Sequence, residues 1–267
     1  MKASQPPSLH FRYGTDDHKQ AFCAVLLNDI DPNLPTTQPW PTLSPEILKR
    51  FADLPFWEDA VEREGNTTCR MQALADRMTD PLAKKAMAQG AFDAGRLKVI
   101  LRTMLRFYGI AIPKEKSYGE TGNLEGLFLH TGYGECFDGF FLFGLFKLAK
   151  DSRAFPPELL DLFEPILQEQ VRHILFFVNW LDYMEVNKGL IKGTWLRLRG
   201  YWFLMSAAYR REMLFKKLGL SSRVLIEASL IEHNRRLAPF NPALSRPKIV
   251  PFFARIVLSF LKKRKRS

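Results

Sequence analysis

Two stretches of this chain put acidic, amide and imidazole side chains at a spacing that could serve a metal. They are Phe92-Asp93-Ala94-Gly95-Arg96 and Glu169-Gln170-Val171-Arg172-His173. In each, the second and fifth residues are three apart, so on a helix they share one face. Each stretch follows a lone glutamate, Glu64 before the first and Glu135 before the second. Two helices giving one Glu each and two giving Glu-x-x-His are the donor set of a two-metal carboxylate site in a four-helix core. Here the set is altered. Asp93 is a shorter acid, Gln170 is a neutral amide, and Arg96 cannot ligate because it stays protonated. His173 is the one imidazole kept.

Positioning such a set needs four helices, and the sequence supplies them. Ser44-Pro45-Glu46 is a helix start, with a capping hydroxyl, a proline for the first turn and an acid for the dipole. Apolar residues recur at helical spacing from Phe56 to Met78 (Val61, Met71, Leu74, Met78), and Thr79-Asp80-Pro81 ends that helix and starts another. The second is expected to run to Tyr108, with Gly109 as its stop. A Gly-rich connection follows (Gly119, Gly122, Gly126), in which Leu124 to His130 could form a helix. The third helix is expected over Gly134 to Lys150 and is apolar on all sides, the mark of a buried helix. A fourth starts at Pro156-Pro157-Glu158 and reaches Met184. Further helices are expected over Lys192 to Leu218 and Ser221 to Arg236. No alternating run bounded by hairpin turns appears, so the class is all-α. Glu64 to Asp93 is 29 residues and Glu135 to Gln170 is 35, each the length of one arm, a turn and a return arm.

The segments from Glu64 to Ala75, 92–96, 134–138 and 168–173 resemble the ferritin-like superfamily of di-iron carboxylate proteins, whose Asp-Glu-Ala-Arg-His signature maps onto 92–96 and 169–173. The resemblance covers about residues 50–185. It implies an antiparallel four-helix bundle at 45–190. Outside the bundle, the proline-rich, polar residues 1–44 read as an irregular N-terminal arm lying on the body, with one short helix allowed at the apolar stretch Phe22 to Leu27; 191–248 read as additional helices and 249–267 as an apolar-then-basic tail. The resemblance implies Glu64, Asp93, Glu135, Gln170 and His173 as metal ligands for iron or manganese. It implies one ion sooner than two, since Arg96 brings +1 where one ion would sit, or none. A guanidinium pairs bidentately with carboxylates and can neutralise them unaided. Asp138 and Glu169 stand next to the set. Asp138 could bond Arg96, and Glu169 with His173 is an i,i+4 pair that a shifted helix phase would bring inward. No catalytic residue is assigned.

Composition adds limits. The chain has 267 residues, is 46% hydrophobic and carries a formal charge of +11. Arg235 to Ser267 holds ten Lys or Arg and no acid, so the rest is nearly neutral. The basic end, Lys262, Lys263, Arg264, Lys265 and Arg266, follows a short apolar stretch from Ile249 to Leu261. That pattern suits anionic headgroups at about 1 kcal/mol per charge, or mere solubility, better than nucleic acid. No apolar run reaches about 18 residues, and the first residues lack an apolar core, so a cytoplasmic protein is expected, either free or peripheral to a membrane's inner face. Cys23, Cys69 and Cys136 are far apart and read as reduced thiols. Tyr108, Tyr133 and Tyr183 could line a channel, and His130 and His233 read as ordinary surface or loop residues. Two functions follow. One is a metal-dependent oxidoreductase acting on a small or lipidic apolar substrate, walled by the phenylalanine-rich third helix. The other is a non-catalytic scaffold or membrane-peripheral binding module in which Arg96 replaces the metal. Substrate, redox partner and oligomeric state are left open.

Overall fold

Helix boundaries follow the capping chemistry. The computed structural model describes residues 11–27, 39–112, 114, 124–188, 219 and 221–245, and every element among them is a helix. These are α1 (Asp16–Leu27), α2 (Pro45–Ala52), α3 (Trp57–Arg77), α4 (Pro81–Phe107), α5 (Leu124–Asp151), α6 (Pro157–Asp161), α7 (Glu164–Lys188) and α8 (Ser222–Leu237). Ser44 accepts from the Ile47 amide at the start of α2, and Asp80 accepts from the Ala83 amide at the start of α4. Each satisfies a donor that the first turn leaves open. Gly109 ends α4 with φ +66°, where a side chain would be strained, and the Ile110 amide reaches back to the Leu105 carbonyl.

Three boundaries differ from the sequence reading, each for a physical reason. The N-terminal region holds α1, a helix of 12 residues whose Phe22, Cys23 and Leu26 are fully buried against α4 and α7. It is a part of the core more than an arm lying on it. The third long helix begins ten residues before Gly134. Gly132 within it serves packing, because a Cβ there would sit 2.8 Å from the Phe177 ring of α7. The fourth helix is broken after Asp161. Pro165 has no amide hydrogen to give the Asp161 carbonyl, so α7 restarts at Glu164 with the proline in its first turn. The helix expected at 192–218 and the tail at 249–267 lie outside the described residues.

α3, α4, α7 and α5 touch in a closed ring: α3 on α4, α4 on α7, α7 on α5, α5 on α3. Paired contacts give the directions. Arg63 meets Asp138 and Thr67 meets Glu135, so α3 and α5 are antiparallel. Arg96 meets Glu169 and Asp93 meets His173, so α4 and α7 are antiparallel. Gly90 approaches Met71 and Gly95 approaches Thr68, so α3 and α4 are antiparallel too. The consecutive helices α4 and α5 therefore run the same way. Two apolar clusters fill the ring. One is centred on Phe22, Met71, Met87, Phe140 and Phe176, and the other on Phe51, Trp57, Met104 and Phe163. On α3, Glu64 and Thr67 fall between Val61 of one cluster and Met71 of the other, and on α4, Asp93 falls between Ala91 and Leu97. A polar layer is thus held at mid-depth.

α5 is apolar all round because α3, α7 and α8 all cover it. Its contact with α8 is close. A Cβ on Gly144 would lie 2.1 Å from Ser229 Oγ, 2.9 Å from the Ser229 amide nitrogen and 3.0 Å from the Leu225 carbonyl oxygen. Backbone cannot yield as a side chain can. Gly144→Ala is therefore expected to cost about 1–3 kcal/mol in chemical unfolding. Gly134→Ala, with nothing within 4 Å of the new carbon, is expected to be neutral or to gain up to about 1 kcal/mol. Equal effects at the two glycines would contradict the close α5–α8 approach.

Candidate functional site

The polar layer takes one contribution from each helix of the ring. α3 brings Glu64, α4 brings Asp93, α5 brings Glu135, and α7 brings Gln170 and His173, all of them buried. The structure thus brings together the five residues that the sequence pattern groups. His173 is the hub. Its Nδ1 lies 3.4 Å from Glu135 Oε2 and its Nε2 lies 3.4 Å from Asp93 Oδ2. An ionised carboxylate oxygen only accepts, so an imidazole that bonds two of them carries both ring protons. Burial alone would push the imidazole down, but the bonds and charges of Asp93 and Glu135 outweigh it and lift its pKa to about 10. His173 is the imidazolium that joins α4 to α5. Burial opposes the charged form of Asp93 as well, yet His173, Gln89 and Arg96 hold its pKa below the usual value.

Around this hub every charge but one has a counterpart. Thr67 Oγ1 donates to Glu135 Oε1 at 3.0 Å, and Gln89 donates to Asp93 Oδ1 at 2.9 Å. Arg96 lies 3.6 Å from Asp93 and forms a close ion pair with Glu169, which Arg172 also approaches at 3.8 Å. Arg63 holds Asp138 at 2.6 Å. The sequence offers Arg96 as the partner of Asp138, and Arg63 fills that place. Glu169 faces Arg96 and does not join the donors of His173. Burial raises Glu169 and also raises Asp138, the latter to about 6 against the pull of Arg63. Glu64 is different. Burial first, then the charge of Glu135, raise its pKa to about 8, and its Oε2 is buried with no hydrogen-bond partner. With Glu64 protonated, Asp93, Glu135, Asp138 and Glu169 are balanced by Arg63, Arg96, Arg172 and His173.

The donor types would suit one iron or manganese ion, but their arrangement does not fit it. His173 spends both ring nitrogens on carboxylates, and the Arg96 guanidinium stands against Asp93. Among the described residues no group of three or more His, Cys, Asp or Glu is disposed to hold a metal ion.

A cavity of about 880 Å³ reaches this layer from the surface. Glu64, Glu135, Asp138 and Gln170 stand at its inner end, and its walls are apolar, with Trp57, Leu101, Phe137, Phe141, Leu142 and Phe146 among them. The phenylalanine-rich helix does wall an apolar pocket. Compared with known proteins, the chain matches no family model, no curated protein and no solved structure.

Other expected positions fall elsewhere. Tyr108, Tyr133 and Tyr183 do not line the cavity, and Tyr108 instead donates to the Pro41 carbonyl. His130 is exposed and meets Arg70. His233 is buried between α8 and α5 against Phe140 and Phe143, where burial lowers its pKa to about 4. That corrects its reading as a surface or loop residue, which overlooked that α8 packs on the greasiest helix. The three cysteines are free. Lys262 to Arg266 lie outside the described residues, and no helix among those residues is long and apolar enough to cross a membrane. Thr67 and Arg63 were missed. The signal for Thr67 was its position three residues after Glu64 on the same face.

The pH dependence of stability follows from these shifts. Glu64 keeps its proton in the fold up to about 8 against an ordinary 4.5, and His173 keeps its own up to about 10 against 6.5. The native state binds more protons across both windows, so stability is full below the ordinary values and falls as pH rises through them. Unfolding at a series of pH values should show a loss from about pH 5 to pH 10. His173→Gln should cost about 3–5 kcal/mol at neutral pH and flatten the alkaline part of the profile, because it strands two buried carboxylates. A wild-type profile that rises toward pH 10 would contradict the protonated hub.

Proposed function

We propose that this chain is a ferritin-like four-helix bundle in which a proton- and guanidinium-balanced cluster stands in place of a metal centre. It serves as a binding module for a small, largely apolar molecule. What supports the bundle is the closed ring of α3, α4, α7 and α5 with one consecutive pair, α4 and α5, running in the same direction. A single long crossover distinguishes ferritin-like connectivity from up-down-up-down bundles. What carries the function is the cavity that ends on the buried cluster. Its size lies within the range of about 300–1,000 Å³ usual for ligand sites, and apolar walls with a few convergent polar groups are the usual lining.

His173 and Arg96 explain why the cluster is stable without an ion. Two cations lie where the resemblance would put metal, each within reach of Asp93. The residues then have three tasks. The apolar walls take up the ligand and exclude water. The Glu64 and Gln170 side chains present polar atoms at the inner end. The ion pairs fix the helices that carry them.

A second reading, a metal-dependent oxidoreductase acting on the same apolar substrate, is favoured by the partnerless Glu64 oxygen. It requires His173 to shed a proton and Arg96 to leave Asp93. Two measurements on the full chain decide. A neutral environment-sensitive dye such as Nile red should bind with about micromolar affinity, and Ala60→Trp or Ala149→Trp, each filling the cavity from a lining position, should weaken it at least about tenfold with the fold intact. Metal analysis of protein purified without chelator should find below about one tenth of an ion per chain. Near one iron or manganese per chain would reinstate the oxidoreductase, and undiminished dye binding in both variants would remove the cavity from the account.

A further inference from the structure

The charge on α4 is almost wholly of one sign. The helix holds Lys84, Lys85, Arg96, Lys98, Arg102 and Arg106, and its single acid, Asp93, is buried in the polar layer. Arg96 is spent on Asp93 and Glu169, but Lys84, Lys85 and Arg106 are exposed. Glu169, the α7 acid that meets this helix, lies between Arg96 and Arg172 and does not offset the exposed cations. Apolar side chains share the outer face. Phe92, Val99 and Phe107 are each more than half exposed, and they are three of the six large hydrophobic residues exposed among the described residues. Two turns of helix separate each from the next, so they form one line. Lys85 and Arg106 stand on the same line, two turns before Phe92 and two turns after Val99. From Lys85 to Phe107 it extends about 33 Å, at ~1.5 Å per residue.

Whatever covers this face must offer negative charge and an apolar layer together. A second copy of the chain would bring the same cations against these, since a two-fold contact pairs a surface with itself. A nucleic-acid duplex offers phosphates but no apolar layer for Val99 and the two phenylalanines. A protein groove would need a separate socket for each side chain. The three stand at least about 10 Å apart along the axis, with Gly95 and Thr103 between them. A bilayer is fluid, takes each side chain singly, and carries its anionic headgroups at the level of the cations.

We propose that the outer face of α4 lies on an anionic lipid surface, with Phe92, Val99 and Phe107 below the headgroups and Lys84, Lys85 and Arg106 among them. It is a contact of the bundle itself, independent of the basic residues 262–266. The test pellets the full chain with vesicles of phosphatidylcholine containing about 30% phosphatidylserine, and with vesicles of phosphatidylcholine alone. Wild type should partition at least about tenfold more strongly onto the anionic vesicles. Val99→Ser with Phe107→Ser leaves Arg96 and its partners in place, and should weaken that binding at least about tenfold with helix content unchanged by circular dichroism. Lys85→Ser with Arg106→Ser should weaken it at least about fivefold and narrow the preference for anionic lipid. Val224→Ser with Ile231→Ser, at exposed apolar positions of α8, should bind as wild type does. All four proteins keep the same C-terminal residues, so the differences report on α4. Failure of wild type to pellet with the anionic vesicles overturns the proposal. So does equal binding by wild type and both α4 variants, or an equal loss in the α8 variant.

Discussion

One side chain, the His173 ring, ties the interior together. It is the point where α7, α4 and α5 meet, through bonds to Asp93 and Glu135 on opposite ring nitrogens. Two buried carboxylates facing an empty core would repel each other and would both lack solvation. A doubly protonated imidazole removes both difficulties with one group. Much of the rest of the layer can be read as support. Thr67 and Gln89 take up the remaining carboxylate oxygens, and Arg96 shields the outer flank of Asp93 while its own guanidinium lies over the Phe92 ring at 5.9 Å. Removing the proton from His173 would unbalance a network that is otherwise neutral.

The layer also explains where the cavity stops. Apolar residues pack efficiently above and below it, in the two clusters that α3 and α4 span. At the layer the side chains are charged and their geometry is dictated by pairing. The same residues that hold the helices in register therefore mark the deep end of the site.

The helices were legible because their signals are local. Ser44-Pro45-Glu46 and Asp80-Pro81 mark starts, Gly109 marks an end, and the apolar spacing of α3 and α4 needs no tertiary knowledge. The grouping of Glu64, Asp93, Glu135, Gln170 and His173 was legible because a face of a helix repeats every three to four residues. What the sequence hid is what depends on neighbours. Nothing in the sequence shows that Phe177 lies against Gly132 or Ser229 against Gly144. Pro165 hides its effect inside a run of good helix formers. The partner of Asp138 is 75 residues away on α3, and nothing local to either residue names it. The protonation of His173 was equally invisible, since it needs both carboxylates in place.

The most direct measurement is the nitrogen-15 spectrum of the His173 ring in the folded chain, assigned by comparison with His173→Gln. The account predicts both ring nitrogens protonated at pH 8, with the proton lost only as the pH nears about 10. A neutral ring with a single protonated nitrogen at pH 7 would contradict it, because His173 could then bridge only one of the two carboxylates.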